Sequence, residues 1–324
     1  MGRLIFLISI GFALLLLIKI STFGWNIFSV STRGKKPKDS YLAERLKNHV
    51  YKISCEIGDR NLFNQDNLKK TALYIVSQLK DFGYTVSFQD VSADNLEAQN
   101  IIAEKKGKKL ADQVVIVGAH YDSCFNPGAD DNASGVSALL EIARFTADKE
   151  FDRTVKFIAF VNEEPPYFKT PQMGSWVYTR QAKKNNEDIK GAVILESVGY
   201  YSDRIYSQRY PAFFGIFYPA RGNFVAVVGN FASADLVSRV KKSFKKCCRF
   251  PIESLVTFDF LTGVSFSDHW SFWEEKFPAV MITDTAFFIN NNYHTSKDTW
   301  ETLNYDCFAV VVEGFYAVLQ RLLG

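Results

Sequence analysis

Apolar positions recur at helical spacing in two early stretches, 41–53 and 67–82; in the second, Leu68, Leu73, Ile75, Val76 and Leu79 carry the period and Gly83 follows as a stop. Residues 85–91 alternate apolar with polar and predict a strand. Residues 100–104 and 114–117 flank a basic turn, 105–109, around Gly107, and are expected to form a hairpin leading into a central strand. From there short apolar runs alternate with amphipathic stretches: strand 114–117, helix 134–147, strand 155–161, helix 175–184, strand 192–195, strand 224–228, helix 232–245, strand 279–282 and a long helix 306–323. Strands that are apolar almost throughout belong in a sheet covered on both faces, and helices between them make that sheet mostly parallel. The pattern predicts an α/β fold, a single-domain three-layer α/β/α sandwich with a mostly parallel central mixed sheet, preceded by an N-terminal hydrophobic helix.

That first helix changes the domain picture. Residues 4–18 are apolar behind Arg3 and end at Lys19, shorter than the roughly 20 residues of a full span unless 20–28, with Trp25, extend the run. A small-residue cleavage site is missing, so residues 1–28 are expected to be a signal peptide or an uncleaved signal-anchor, giving a chain anchored to the membrane or secreted, its catalytic domain exported. Lys19, Arg33, Lys35, Lys36 and Lys38 follow the segment, and the positive-inside rule argues for the opposite topology. Residues 29–39 read as a basic polar linker and 40–324 as the globular domain. With 47% hydrophobic and 15% aromatic residues, that domain can bury a large core. A net charge of +3, with the Lys and Arg residues dispersed, gives no ground for a nucleic-acid partner. Five cysteines without a CxxC spacing specify no disulfide framework, and the odd count leaves at least one unpaired in a monomer.

The chain has four histidines. His120 follows the strand 114–117, Glu163 and Glu164 follow 155–161, Glu196 follows 192–195, and His294 lies beyond 279–282. Open α/β sheets place ligand sites past the carboxyl ends of their strands. An imidazole with several carboxylates around the turn at 118–135 has the composition of a divalent-metal site, because such sites combine nitrogen and oxygen ligands and leave room for water. Asp130 and Asp131 offer one bridging carboxylate and one neighbour. Asp122 is placed to accept the second imidazole N–H of His120. The Glu163–Glu164 pair divides into a free general base and a ligand, since adjacent side chains at a strand end point to different sides.

Five motifs together resemble the zinc-dependent exopeptidases of the M28 type, which include bacterial leucyl aminopeptidases: Gly-Ala-His-Tyr-Asp-Ser at 118–123, Gly-Ala-Asp-Asp-Asn-Ala-Ser-Gly at 128–135, Asn-Glu-Glu-Pro-Pro at 162–166, Ala-Val-Ile-Leu-Glu-Ser-Val-Gly-Tyr at 192–200, and Tyr-His-Thr-Ser-Lys-Asp-Thr at 293–299. The resemblance runs from about residue 41 to the C-terminus. It implies a metal-dependent exopeptidase acting on peptide substrates with two zinc ions per chain; the family also includes glutamate carboxypeptidases, and its weight favours an aminopeptidase over a carboxypeptidase. One zinc would be held by His120, Asp130 and Glu196, the other by Asp130, Glu164 and His294, with Asp130 bridging. Glu163 would be the general base and Asp122 the partner of His120. The family usually carries Asp where this chain has Glu196, and the extra methylene shifts the geometry of that ligand. Phe-Ser-Asp-His-Trp at 266–270 also resembles a family segment; Asp268 and His269 could line the pocket, with a loop-tying role favoured for both. The aromatic segment 200–218 is a candidate wall for an apolar side-chain pocket, while no motif places Arg180, Arg204, Arg209 or Arg221 in the site.

Two other readings stay open at this point. A glutaminyl-cyclase-like enzyme would use a related fold with one zinc for acyl transfer to an internal amine. A receptor-like ectodomain would keep the fold without activity.

Overall fold

The computed structural model describes residues 36–94, 96–211 and 214–324. Two helices open the body, α1 (Leu42–Tyr51) and α2 (Gln65–Asp81), followed by strands β1 (Val86–Ala93), β2 (Leu96–Lys105) and β3 (Leu110–His120). Then come α3 (Gly135–Thr146), β4 (Arg153–Phe160), α4 (Gly174–Lys184), β5 (Asp188–Leu195), β6 (Val225–Gly229), α5 (Ala234–Cys247), β7 (Ile252–Val256), α6 (His269–Glu274), β8 (Ala279–Thr283) and α7 (Tyr305–Leu323). One eight-stranded sheet runs in the order β1-β2-β4-β3-β5-β8-β6-β7. Its centre, β4-β3-β5-β8, is parallel, whereas β2 runs antiparallel to β4, and β6 and β7 run together antiparallel to β8.

Side chains alternate across the central strands, so each strand feeds two cores. Val115, Val117 and Ala119 of β3, with Val193 and Leu195 of β5, pack under α1, α2, α3, α5 and α7. Val114, Ile116, Ala192 and Ile194 pack on the other face, against Tyr178 and Ala182 of α4 and Phe272 and Trp273 of α6. This is the three-layer sandwich that the apolar strands require.

The hairpin expected between 100–104 and 114–117 does not form. β4 lies between β2 and β3 and pairs with both, while β2 makes its hairpin with β1, Val86 opposite Ala103. β7 is absent from the sequence reading because it is a five-residue edge strand with only Ile252 buried, too short and too mixed to show a period.

Asp39 forms ion pairs with Arg45 (2.6 Å) and Arg144 (3.3 Å), and the backbone N–H groups of Lys38 and Asp39 donate to the Glu313 carboxylate of α7, so the end of the linker is tied to the body. No helix among the described residues is long and apolar enough to cross a membrane, and the anchor expected at 1–28 lies outside the described residues. Among the described residues no two cysteines are joined in a disulfide.

Candidate metal centre

The candidate residues collect past the carboxyl ends of β3, β4, β5 and β8. His120 is the last residue of β3 and fully buried. After β4 the chain turns at Asn162 (φ 61°), after β5 at Ser197 (φ 47°), and His294 itself has φ 55°. Non-glycine residues pay a steric cost in this left-handed region and are found there when surrounding structure holds them, here to turn the loops that carry Glu163, Glu164, Glu196 and His294.

The 128–135 loop is built for close approach. Gly128 has φ +55°, and a Cβ there would lie 2.4 Å from the Asp131 carbonyl oxygen. Asn132 donates to Leu195 O (2.9 Å) and accepts from the N–H groups of Gly135 (3.0 Å) and Ser197 (3.1 Å), which locks the loop to the end of β5. Asp298 accepts from the backbone N–H groups of Asp130 (3.0 Å) and Asp131 (3.2 Å). Beneath the 121–128 segment, the fully buried guanidinium of Arg60 donates to the carbonyls of Tyr121 (2.8 Å), Pro127 (2.6 Å) and Gly128 (2.8 Å).

Asp131, not Asp130, reaches both imidazoles. Asp131 Oδ1 lies 3.1 Å from His120 Nε2 and Oδ2 lies 2.9 Å from His294 Nε2. The Asp130 carboxylate turns away, accepting from Gly199 N (3.1 Å) and Asn290 Nδ2 (3.0 Å) and hydrogen-bonding the Asp284 carboxyl. The bridging position read from the sequence is therefore corrected by one residue: the backbone at Asp131 (φ −107°, ψ 90°) and Asn132 (φ −137°, ψ 38°) leaves the helical path, and this irregular turn aims the second aspartate, rather than the first, between the histidines.

The remaining candidates fall around this carboxylate. Glu196 Oε2 is 3.2 Å from His120 Nε2 and accepts from Ser267 Oγ (2.7 Å). Glu164 Oε2 is 3.2 Å from His294 Nε2, and Glu163 Oε2 is 3.9 Å from His120 Nε2. Asp122 lies 3.5 Å from His120 Nδ1 and accepts from the N–H groups of Glu163 (3.2 Å) and Glu164 (3.0 Å), coupling the loops after β3 and β4. His269 bonds the Val264 carbonyl through Nε2 (2.8 Å) and ties its loop; Asp268 is fully buried within electrostatic reach of His120, Asp122 and Glu196, and that burial pushes its carboxyl up to about 7.

These residues have the donor set of a cation site. His120 Nε2, Asp131 Oδ1 and Glu164 Oε1 are buried without a hydrogen bond of ordinary geometry, although His120 Nε2 has two carboxylates close by. Such atoms are costly to leave unpaired. Ligands on a tetrahedral ion with bonds of about 2.0–2.1 Å stand about 3.3–3.4 Å apart, close to the separations found here. Burial drives the Glu163 carboxyl well above its ordinary range and Glu164 up to about 7, with neighbouring acids adding to both. For Asp131 burial acts in the same direction, but the two imidazoles outweigh it and hold the carboxyl below its usual range. Sequence reasoning missed Arg60, Asp284, Asn290 and Asp298, whose roles depend on contacts between distant segments.

The model for peptidase family M28 matches residues 100–319. The chain belongs to this family. It is similar to the Escherichia coli K12 protein YfbL, 36% identical over 99% of each chain, and to aminopeptidase YwaD of Bacillus subtilis, 40% identical over 29% of this chain and 23% of that one. Among solved structures, BSAP, a zinc aminopeptidase from Bacillus subtilis, matches with a TM-score of 0.70 at 18% identity, covering 87% of this chain and 95% of that one. Glutaminyl cyclase from Bacteroides thetaiotaomicron matches with a TM-score of 0.65 at 19% identity, covering 86% and 97%. At these identities the structural likeness is one of fold.

In this M28 chain an apolar cavity of about 100 Å³ opens beside Glu196. Tyr210, Tyr218, Phe224, Leu255, Val264 and Met281 contribute to its walls, so part of the 200–218 aromatic segment lines a cavity that Glu196 also lines.

Proposed function

We propose that this M28 peptidase is a zinc-dependent aminopeptidase with two ions per chain. The observation that carries this reading is the Asp131 carboxylate set between His120 and His294, each histidine having its own second carboxylate, Glu196 for one and Glu164 for the other. Bound zinc would acidify the attacking water and polarise the scissile carbonyl.

The protein's own groups supply the rest. Asp122 faces the far nitrogen of His120 and fixes the tautomer that leaves Nε2 free to ligate. Glu163 stands beside the ligand set without sharing a histidine at ligand distance, and its raised carboxyl suits a base that takes the proton of water and hands it to the leaving amine. Ser267 orients Glu196, whose extra methylene is accommodated with the carboxylate still in reach of His120. The cavity beside Glu196 receives an apolar side chain of the substrate peptide. Residues 1–28 serve as an export signal or anchor and place the domain at or beyond the membrane, a reading supported by the apolar run 4–18.

The test combines metal analysis with hydrolysis of free-amine and N-blocked aminoacyl amides. About two zinc per chain, cleavage of free-amine substrates alone, and a Glu163→Gln variant that keeps its zinc but loses turnover are expected. One zinc per chain with no cleavage would replace this reading with the cyclase-like one.

A further inference from the structure

The loop after β4 continues past the Glu163–Glu164 pair to Lys169, whose backbone lies in the left-handed region (φ 56°). Lys169 Nζ donates to Ser265 Oγ (2.8 Å) and stands 5.3, 5.6 and 5.2 Å from the ring centres of Phe168, Phe266 and Trp270. Ser265 sits between Val264 and Phe266, both of which wall the cavity beside Glu196, so the ammonium is held between the loop of the proposed base and the wall of that cavity. An ammonium has three donors and Ser265 takes one; ring faces attract the charge but accept no full hydrogen bond. Among the described residues no carboxylate comes within ion-pair distance of Lys169, and Glu163, Asp259 and Glu274 act on it only through space. Partial burial lowers its pKa below the ordinary lysine value, as expected for a cation drawn out of water without a counter-ion.

We infer that Lys169 binds the free α-carboxylate of the leaving residue and makes dipeptides the preferred substrates, an inference that rests on the aminopeptidase reading above. In that reading Glu163 hands a proton to the leaving amine, so the amine departs on the Glu163 side. In a dipeptide a single carbon separates that amine nitrogen from the α-carboxylate. A cation in electrostatic reach of Glu163, and left unpaired by the protein's own carboxylates, is set to meet it. The contact is charge-assisted and partly screened from water by the three rings, which strengthens it. In a longer peptide or an amide a neutral carbonyl takes the same place and accepts from the ammonium more weakly. The cavity beside Glu196 thus reads the first side chain, and Lys169 reads where the peptide ends.

The test compares hydrolysis of the dipeptide Leu-Ala with that of its C-terminal amide by the full chain loaded with zinc. Removing the negative charge should lower kcat/KM by about tenfold or more, the size of one charge-assisted hydrogen bond. Lys169→Met keeps an apolar stem against the rings and should bring the ratio of the two substrates to about one, whereas Lys169→Arg keeps the charge and should hold the ratio severalfold higher. Added salt should compress the wild-type ratio and leave that of Lys169→Met where it is. Equal kcat/KM for peptide and amide in the wild type would overturn the inference and leave the aminopeptidase reading standing. So would a ratio that survives Lys169→Met while both substrates slow together, because Lys169 would then only pin its loop to residues 265–270. Cleavage of neither substrate would remove the aminopeptidase reading and the inference with it. Circular dichroism of both variants checks that each is folded when its ratio is read.

Discussion

The pair Asp130 and Asp131 gives the sharpest separation of roles. In Asp131→Ala, both histidines lose the carboxylate that stands 3.1 and 2.9 Å from them, and the two proposed ions would lose their shared donor. Groups one step removed from a metal already cost about 10- to 100-fold in affinity, so loss of a direct shared ligand should cost each ion at least about 100-fold, or about 2.7 kcal/mol. Asp130→Asn acts elsewhere. Its carboxylate accepts from Gly199 and Asn290, so the amide would turn a donor toward a donor and cost about 1–3 kcal/mol of stability. The assay is zinc content after dialysis against a weak chelator, read beside urea unfolding. Asp131→Ala should emerge with almost no zinc, and Asp130→Asn with close to the wild-type content but a lower midpoint. Zinc retained by Asp131→Ala and stripped from Asp130→Asn would refute the assignment of the bridge.

Three further outcomes are expected. Arg60→Met leaves buried carbonyls of residues 121–128 without their donor and should cost about 3–5 kcal/mol in urea unfolding; a loss below about 1 kcal/mol would deny Arg60 its role under the ligand loop. Burial lowers the His269 imidazole from 6.5 to about 4, so the unfolded chain binds the extra proton first as pH falls; stability present above pH 6.5 should decline by about 3 kcal/mol toward pH 4, and His269→Gln should flatten that part of the profile. Ala226→Phe projects a ring into the cavity beside Glu196 and should lower kcat/KM for large apolar N-terminal residues by at least about tenfold while sparing alanine; equal loss for both would detach the cavity from specificity.

The central layers of the fold were legible because β3, β4, β5 and β8 are apolar on both faces, and that requirement is local to each strand. Partnering was less so. Nothing in residues 100–104 says that β4 will slip in beside them, because strand order is decided by contacts made much later in the chain. The same limit runs through the site. Strand ends located His120, Glu163, Glu164 and Glu196, but two adjacent aspartates in an irregular turn have no period by which to tell them apart, and the turn's path is set by Asp298, well over a hundred residues away. Arg60 looks like any surface arginine in the sequence; its burial follows from the carbonyls that the 121–128 segment turns toward it.

The reversal of the sheet between β8 and β6 divides the molecule's labour. The proposed metal ligands stand at strand ends and loops of the parallel block, whereas β6, β7 and the segments around them supply much of the cavity wall, which reaches the ligand set at Glu196. Changes in β6, β7 or the 200–218 segment can therefore alter which residue is accepted with little disturbance to the machinery that cleaves it. A lineage built on this arrangement can diversify its diet along one edge of the sheet while its chemistry stays fixed at the centre.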